Sequence, residues 1–359
     1  MADSASPKAK PASPPKSPPK SGAPSPQPVS PSGAAPALEA GQLEAGGDDY
    51  DSVYGDVGSD TASLASSVLN YRQENGRTYH AYKAGAYFMP NDEPETGRLD
   101  LQHNLCLLTQ DDRLFLSPIG KSGKPLKRVL DAGCGTGIWA IDFADENPDV
   151  SVCGVDLSPI QPAFVPPNVE FFVDDLEADW TYATPFDFIY MRLLTGSILD
   201  WPKLFGQAFN HLTPGGYIEL FDTLNPLVAD DDTLTEDSAL LKWNRLLVEA
   251  SEKLGRPLNS CKNYKKQLTA AGLINIVETQ FMWPMNTWPE DHKHKNVGAW
   301  SAENFSQGVQ AVSLMLFTNV LGWTKDQVEV LLVEVRKDVK NKGIHGYWPI
   351  HVVYAQKPE

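Results

Sequence analysis

Basic residues are the scarcer charge in this chain: 30 Lys and Arg stand against 46 Asp and Glu, a formal net charge of −16. A surface this acidic repels phosphate backbones, so direct nucleic-acid binding is not expected. Cysteine is scarce as well. The four present, Cys106, Cys134, Cys153 and Cys261, lie far apart with no C-x-x-C pair. That spacing argues against a metal site and for reduced thiols. No apolar stretch follows Met1, so no secretory signal is expected. The longest apolar run, 311–317, still contains Ser313 and is too short to cross a bilayer. The expectation is a soluble intracellular protein, nuclear and/or cytoplasmic, with no membrane contact. No internal repeat is visible.

What is present is enough hydrophobic material for one large α/β domain: 42% of 359 residues, with 10% aromatic. It is not evenly spread. Residues 1–65 are rich in Pro and Ser and poor in large apolar side chains, so they read as a disordered tail. The tail is basic at first (Lys8, Lys10, Lys16, Lys20) and wholly acidic in its charges from Glu39 to Asp60. Ser13-Pro14-Pro15-Lys16 and Ser17-Pro18-Pro19-Lys20 have the S-P-x-K form that proline-directed kinases favour. Phosphate there would reverse the local charge.

Beyond the tail, residues 70–87 mix aromatic and charged residues, and Pro90 to Pro94 reads as a break. Residues 98–108 read as a helix with Leu101, Leu105 and Leu108 on one face. Strands and helices then alternate. Strands are expected at 128–131, 151–156, 169–173, 186–190 and 217–221, with helices at 138–146 and 201–212. Such alternation implies βαβ units and a parallel sheet. Later come helices at 238–254, 264–271, 300–321 and 325–340, and strands at 274–283 and 347–354. The last two strands are expected to complete the sheet edge, and the helices between them to form part of a cap.

The strongest local signal is Val129-Leu130-Asp131-Ala132-Gly133-Cys134-Gly135-Thr136-Gly137: a strand, three glycines at alternate positions, then a helix. Glycine removes the Cβ, so bare backbone can lie against a ligand at positive φ. A dinucleotide-binding loop would place another glycine where Ile138 stands, which argues against a nicotinamide oxidoreductase. S-adenosylmethionine carries no phosphate, so its loop needs no pyrophosphate anchor. Asp131 is placed to orient the loop or meet the cationic amino-acid end. Asp156, closing the next strand, can accept from both ribose hydroxyls, with Leu157 beside it. Asp174-Asp175-Leu176 follows the third strand and can read an adenine edge; Asp175 is favoured over Asp174. The expected cofactor set is Asp131, Gly133, Gly135, Gly137, Asp156, Leu157, Asp175 and Leu176.

Together with Pro214-Gly215-Gly216 before the fifth strand, these motifs resemble class I methyltransferases. More narrowly, the chain resembles the fungal LaeA-like methyltransferases. The resemblance rests on Tyr71-Arg72-Gln73-Glu74-Asn75-Gly76-Arg77-Thr78-Tyr79-His80-Ala81-Tyr82, Arg98-Leu99-Asp100-Leu101-Gln102-His103, Gly137-Ile138-Trp139-Ala140-Ile141, Asp156-Leu157-Ser158-Pro159-Ile160-Gln161-Pro162 and Asp200-Trp201-Pro202. It spans about 71–358 and leaves the tail outside. It implies an α/β, Rossmann-like class I fold: a seven-stranded, mostly parallel sheet with helices on both faces, an N-terminal helical lid at 66–126, and a methyltransferase domain at 127–359 with cap insertions about 228–272 and 286–342. It also implies control of secondary metabolism or development through velvet-type partners.

Methyl transfer from a sulfonium is an in-line displacement with a good leaving group, so alignment and exclusion of water are the enzyme's main tasks. A hydroxyl or ammonium acceptor needs a base. The candidates are His80 and His103, with His345 further on; Arg192, after the fourth strand, could hold an acidic group. His292 and His294 read as a solvated loop. Tyr79, Tyr82, Trp283, Trp288 and Trp300 could line an acceptor pocket, half or more of them serving the core instead. After the fourth strand there is no Asn/Asp-Pro-Pro-aromatic motif, and the chain has no Pro-Cys pair, which disfavours base methylation of DNA or RNA. Three readings remain: an enzyme in a regulatory complex acting on a protein, a tailoring enzyme for a small molecule of secondary metabolism, and a cofactor-binding scaffold whose catalysis is dispensable. A deep apolar pocket would favour the second and an open cleft the first.

Overall fold

The computed structural model describes residues 70–359 apart from Ala86, Ser122 and Gly123. The tail, with its two S-P-x-K sites, lies outside the described residues. Among the described residues the first element is a short hairpin, β1 (Arg72–Glu74) and β2 (Arg77–Tyr79), turned by Asn75-Gly76 at positive φ. The described part of the expected N-terminal helical lid therefore has strands before its helix, α1 (Glu93–Thr109). That helix begins earlier than expected at 98. Pro94 sits in its first turn, where a missing N–H costs nothing, and Asp92 caps it by accepting from the Glu95 N–H. Arg77 grips the same carboxylate in two bonds of 2.6 and 2.7 Å, so the hairpin is fastened to the start of α1.

The central sheet is built from β3 (Arg128–Ala132), β4 (Ser151–Asp156), β5 (Val169–Val173), β6 (Phe186–Arg192), β7 (Leu212–Thr223), β8 (Ile274–Pro284) and β9 (Tyr347–Gln356). Their order is β5-β4-β3-β6-β7-β9-β8. The first five run parallel; β9 is antiparallel to β7, and β8 to β9. This is the seven-stranded, mostly parallel sheet expected from the alternating pattern, with the last two strands at its edge. The chain leaves β3 for β4 and β5 on one side, then returns to β6 and β7 on the other. Crevices at such a reversal, beyond the C-terminal strand ends, are where open α/β sheets bind ligands.

The connecting helices are α2 (Ile138–Glu146), α3 (Trp201–His211), α4 (Ala239–Lys253), α5 (Tyr264–Ala270), α6 (His292–Met315) and α7 (Lys325–Lys340). One face of the sheet is covered by α2, where Trp139 stacks on Tyr190 at 4.1 Å between ring centres. The other is covered by α3 and α5 through Trp201, Phe205 and Tyr264. A third core joins α1, α4, α6 and α7 above the strand ends and forms the cap. The expected 300–321 helix starts at His292, because Asp291 caps it and accepts the His294 N–H at 2.9 Å. His292 and His294 thus belong to a first helical turn, not to a loop. The helix ends in one π-helical turn, Leu316–Val320.

Candidate functional site

The glycine loop between β3 and α2 is tied to β4 by three N–H groups, and a fourth, from Ser158, braces the same carboxylate. Gly133 and Cys134 donate to the Val155 carbonyl (2.8 and 3.0 Å). Gly135 donates to Asp156 Oδ2 at 2.9 Å, and Ser158 to Asp156 Oδ1 at 3.0 Å. Gly133, Gly135 and Gly137 all have positive φ, as the sequence pattern requires. From above, Asp100 of α1 accepts from the Thr136 hydroxyl at 2.7 Å, so the lid helix is fastened to the same loop.

Beyond this loop lies a cavity of about 310 Å³. Gly133, Gly135, Asp156, Leu157, Asp175 and Leu176 line one end of it together. Asp131 and Gly137, expected in the same set, do not line it. Gly137 is the left-handed N-cap of α2, and a Cβ on it would stand 2.3 Å from Phe171 Cζ. Its glycine is required by packing behind the loop. Asp131 is 2% exposed, and its Oδ2 has no hydrogen-bond partner. Burial drives its carboxyl up to about 7, against the opposing charge of Arg192.

A raised carboxyl pKa has a definite sign. Folded Asp131 holds its proton where the unfolded chain, near 3.9, has lost it, so stability falls as pH rises from about 4 through about 7. Asp131→Asn is therefore expected to gain stability relative to the parent as pH rises across that window. Urea melts at either end check this; a constant difference would show that Asp131 ionises normally.

Arg192 does reach the cavity, and it is held from behind. Its Nη1 donates to His103 Nδ1 at 3.1 Å. A guanidinium can only donate, so His103 carries its hydrogen on Nε2, which faces Asp142 Oδ2 at 2.8 Å. Burial lowers the His103 pKa, which keeps the ring neutral. Both ring nitrogens are thus engaged, and His103 orients Arg192 instead of acting as the expected base. His80 is also spent: Nδ1 lies 2.6 Å from the Tyr82 carbonyl, and Nε2 accepts the Tyr87 N–H at 3.2 Å. His345 pairs with Asp231 in a half-exposed site. Among the described residues, no histidine or lysine lines the cavity.

The other end of the cavity lies under the cap. Of the five aromatics expected there, only Trp283 lines it. Tyr79 is buried in the core, Trp288 donates to the Gly346 carbonyl, and Trp300 is 38% exposed; Tyr82 does not line the cavity either. In their place stand Phe88, Trp243, Phe305 and Trp348, together with the charged pair Glu95 and Arg98. Sequence reading missed these. The α6 residues Ser301, Asn304, Phe305, Gly308, Val309 and Val312 recur at helical spacing and could have marked that face.

A model described as "Methyltransferase domain" matches residues 101–278. Methyltransferase pytC of Aspergillus terreus is 42% identical over 311 residues, 86% of this chain and 95% of its own. The secondary metabolism regulator laeA of Aspergillus flavus is 36% identical over 300 residues, 82% of this chain and 80% of its own. Among solved structures, a Haemonchus contortus phosphoethanolamine N-methyltransferase in complex with S-adenosyl-L-methionine is similar at 17% identity and a TM-score of 0.45, over 83% of this chain and 74% of that one. With pytC and laeA matched along nearly all of the described residues, the chain belongs to the LaeA-like family of S-adenosylmethionine-dependent methyltransferases.

Proposed function

We propose that this enzyme methylates a small molecule seated in the aromatic chamber under the cap. One observation carries the reading. The cavity that begins at the glycine loop continues between α1, α4 and α6 onto Phe88, Trp243, Trp283, Phe305 and Trp348, all deeply or largely buried. Concave, mostly apolar pockets of roughly 300–1,000 Å³ suit small ligands. A protein substrate would need an open cleft.

The residues at the loop end fit S-adenosylmethionine. Asp156 spends one N–H bond on each oxygen, and a carboxylate oxygen can accept more than one, so capacity remains for ribose hydroxyls. A Cβ on Gly135 would meet nothing nearer than Leu99 at 3.5 Å, so its bare backbone has room for a ligand. Asp175, braced by the Glu177 N–H at 2.9 Å, and Leu176 would stand beside the adenine. Arg192 would hold the carboxylate of the amino-acid end. When bound, the cofactor supplies an electrophilic methyl group on a sulfonium. The chain would orient the two reactants, and apolar lining residues such as Met89, Leu193 and Leu194 would help exclude water. Among the described residues no histidine or lysine lines the cavity, and the Glu95 carboxylate is spent on Arg98, so an acceptor atom that sheds its proton readily or carries none suits this chamber.

A second reading, regulation in a velvet-type complex with a protein as acceptor or with catalysis dispensable, is favoured by the regulators among the relatives. One experiment separates them. A lysate lacking the protein is incubated with purified enzyme and methyl-labelled S-adenosylmethionine, then divided into extractable small molecules and protein. Label is expected in the small-molecule fraction; label confined to protein would overturn the proposal.

A further inference from the structure

We infer that the capped end of the chamber holds a planar, conjugated ring whose carbonyl or ionised hydroxyl oxygen docks on Arg98 and Asn304, with Ser301 beside them. The inference rests on the small-molecule reading above and names the class of molecule.

The walls are flat and their polar groups are already used. The Trp243 indole N–H donates to Ser313 Oγ at 2.8 Å, and that of Trp283 to Thr109 Oγ1 at 2.7 Å. What these indoles offer a ligand is carbon surface. Phe305 stacks on Trp348 (5.2 Å, 28°) and meets Trp243 edge-on (5.2 Å, 89°). Aromatic walls in these geometries favour a flat guest.

Among the polar residues that line the cavity, one cluster is deeply buried and bonded within itself. Arg98 and Glu95 are 6% and 2% exposed. Arg98 Nε donates to both Glu95 oxygens (3.1 and 3.0 Å), Nη2 to Oε1 at 2.6 Å, and Nη1 to Asn304 Oδ1 at 2.8 Å. A guanidinium has five N–H groups, so these bonds leave one on each terminal nitrogen. The Asn304 carbonyl is spent on Arg98, which leaves its amide NH2 to donate. Ser301, one turn earlier on α6, is 1% exposed, and its Oγ has no partner. Gly308, one turn later, makes the room: a Cβ there would stand 2.8 Å from Arg98 Cδ. A glycine inside a helix is costly by roughly 0.5–1 kcal/mol, and here it clears the path of the Arg98 stem. Donors are in excess while Glu95 neutralises the charge. Such a set takes an oxygen acceptor, neutral or singly anionic, and rejects a cation.

The test uses the full chain saturated with S-adenosylhomocysteine and three probes of one ring: 1-naphthol, naphthalene and 1-naphthylmethylammonium. Equilibrium dialysis reads their retention. 1-Naphthol is expected to bind about 10-fold more tightly than naphthalene, as for one or two hydrogen bonds to a charged donor, with the ammonium weakest. Asn304→Leu and Ser301→Ala should each reduce the preference, and together reduce it further, leaving only what Arg98 supplies, while S-adenosylhomocysteine affinity, measured alongside, reports an intact fold. Equal binding of naphthalene and 1-naphthol, a preference for the ammonium, no retention of 1-naphthol, or a preference undiminished by both substitutions would overturn the inference. Label on protein in the lysate experiment, with 1-naphthol still preferred here, would instead sink the choice of acceptor and leave the oxygen site standing.

Discussion

Asp156→Ala is expected to weaken S-adenosylmethionine binding by about 10- to 100-fold, the loss of one or two hydrogen bonds to a charged group. The expectation is large because Asp156 acts twice. It lines the cavity end where the ribose would sit, and it holds the glycine loop through the Gly135 N–H and the turn after β4 through the Ser158 N–H. Alanine removes the ligand's partner and leaves both donors without theirs. Calorimetric titration with S-adenosylmethionine and S-adenosylhomocysteine measures the first effect, and a thermal melt the second. Both ligands should lose affinity together, since both carry the ribose. Burial raises the Asp156 pKa, with the backbone bonds opposing it. Affinity in the parent enzyme should therefore fall as pH drops and the carboxylate takes its proton, and Asp156→Ala should flatten that dependence. Unchanged affinity in the variant would remove Asp156 from the cofactor site.

Gly137→Ala is expected to cost stability far more than Gly135→Ala does. Gly137 has φ +79°, and its added Cβ would stand 2.3 Å from Phe171 Cζ and 2.7 Å from Cε1. Left-handed backbone costs a non-glycine residue roughly 1–2 kcal/mol, and overpacking a core typically costs about 1–3 kcal/mol more. Gly135 has φ +56° and meets only Leu99, at 3.5 Å. Its alanine carries the backbone strain alone, and the new methyl has its room on the cavity side of the loop. Urea melts should then single out Gly137→Ala, and titration with S-adenosylhomocysteine should single out Gly135→Ala. A melting midpoint of Gly137→Ala equal to the parent's would show that Phe171 swings aside at no cost.

These two glycines sit two positions apart in one motif, and sequence reading treated them alike. Spacing shows that each must adopt a conformation open to glycine. It does not show which way the missing Cβ points. That depends on β5, whose Phe171 comes from beyond β4. Asp131 is a similar case. Its place at the end of β3 was legible, but the register beside Gly154 and Tyr190 turns it into the sheet's interior behind the loop. The histidines fell for another reason. His80 and His103 do lie in the segments that close over the site, yet their ring nitrogens are satisfied by the Tyr82 and Tyr87 backbone, Arg192 and Asp142. A buried ring with both nitrogens engaged positions its neighbours; it does not collect a proton.

By itself the sequence determined the sheet, the glycine loop and the acidic partner on the next strand. Each is encoded within a dozen or so residues, by the alternation of apolar runs with helical periods and by glycines at alternate positions. The acceptor chamber was decided only by the tertiary structure. Arg98 and Asn304 are 206 residues apart in the chain and 2.8 Å apart in space. The aromatic walls come from α4, α6, β8 and β9 as well as from the segment before α1. Local pattern shows that such side chains are buried, because hydrophobicity is read one residue at a time. Which of them face one another across a cavity depends on how the cap helices cross above the strand ends, and that is set by packing among distant segments.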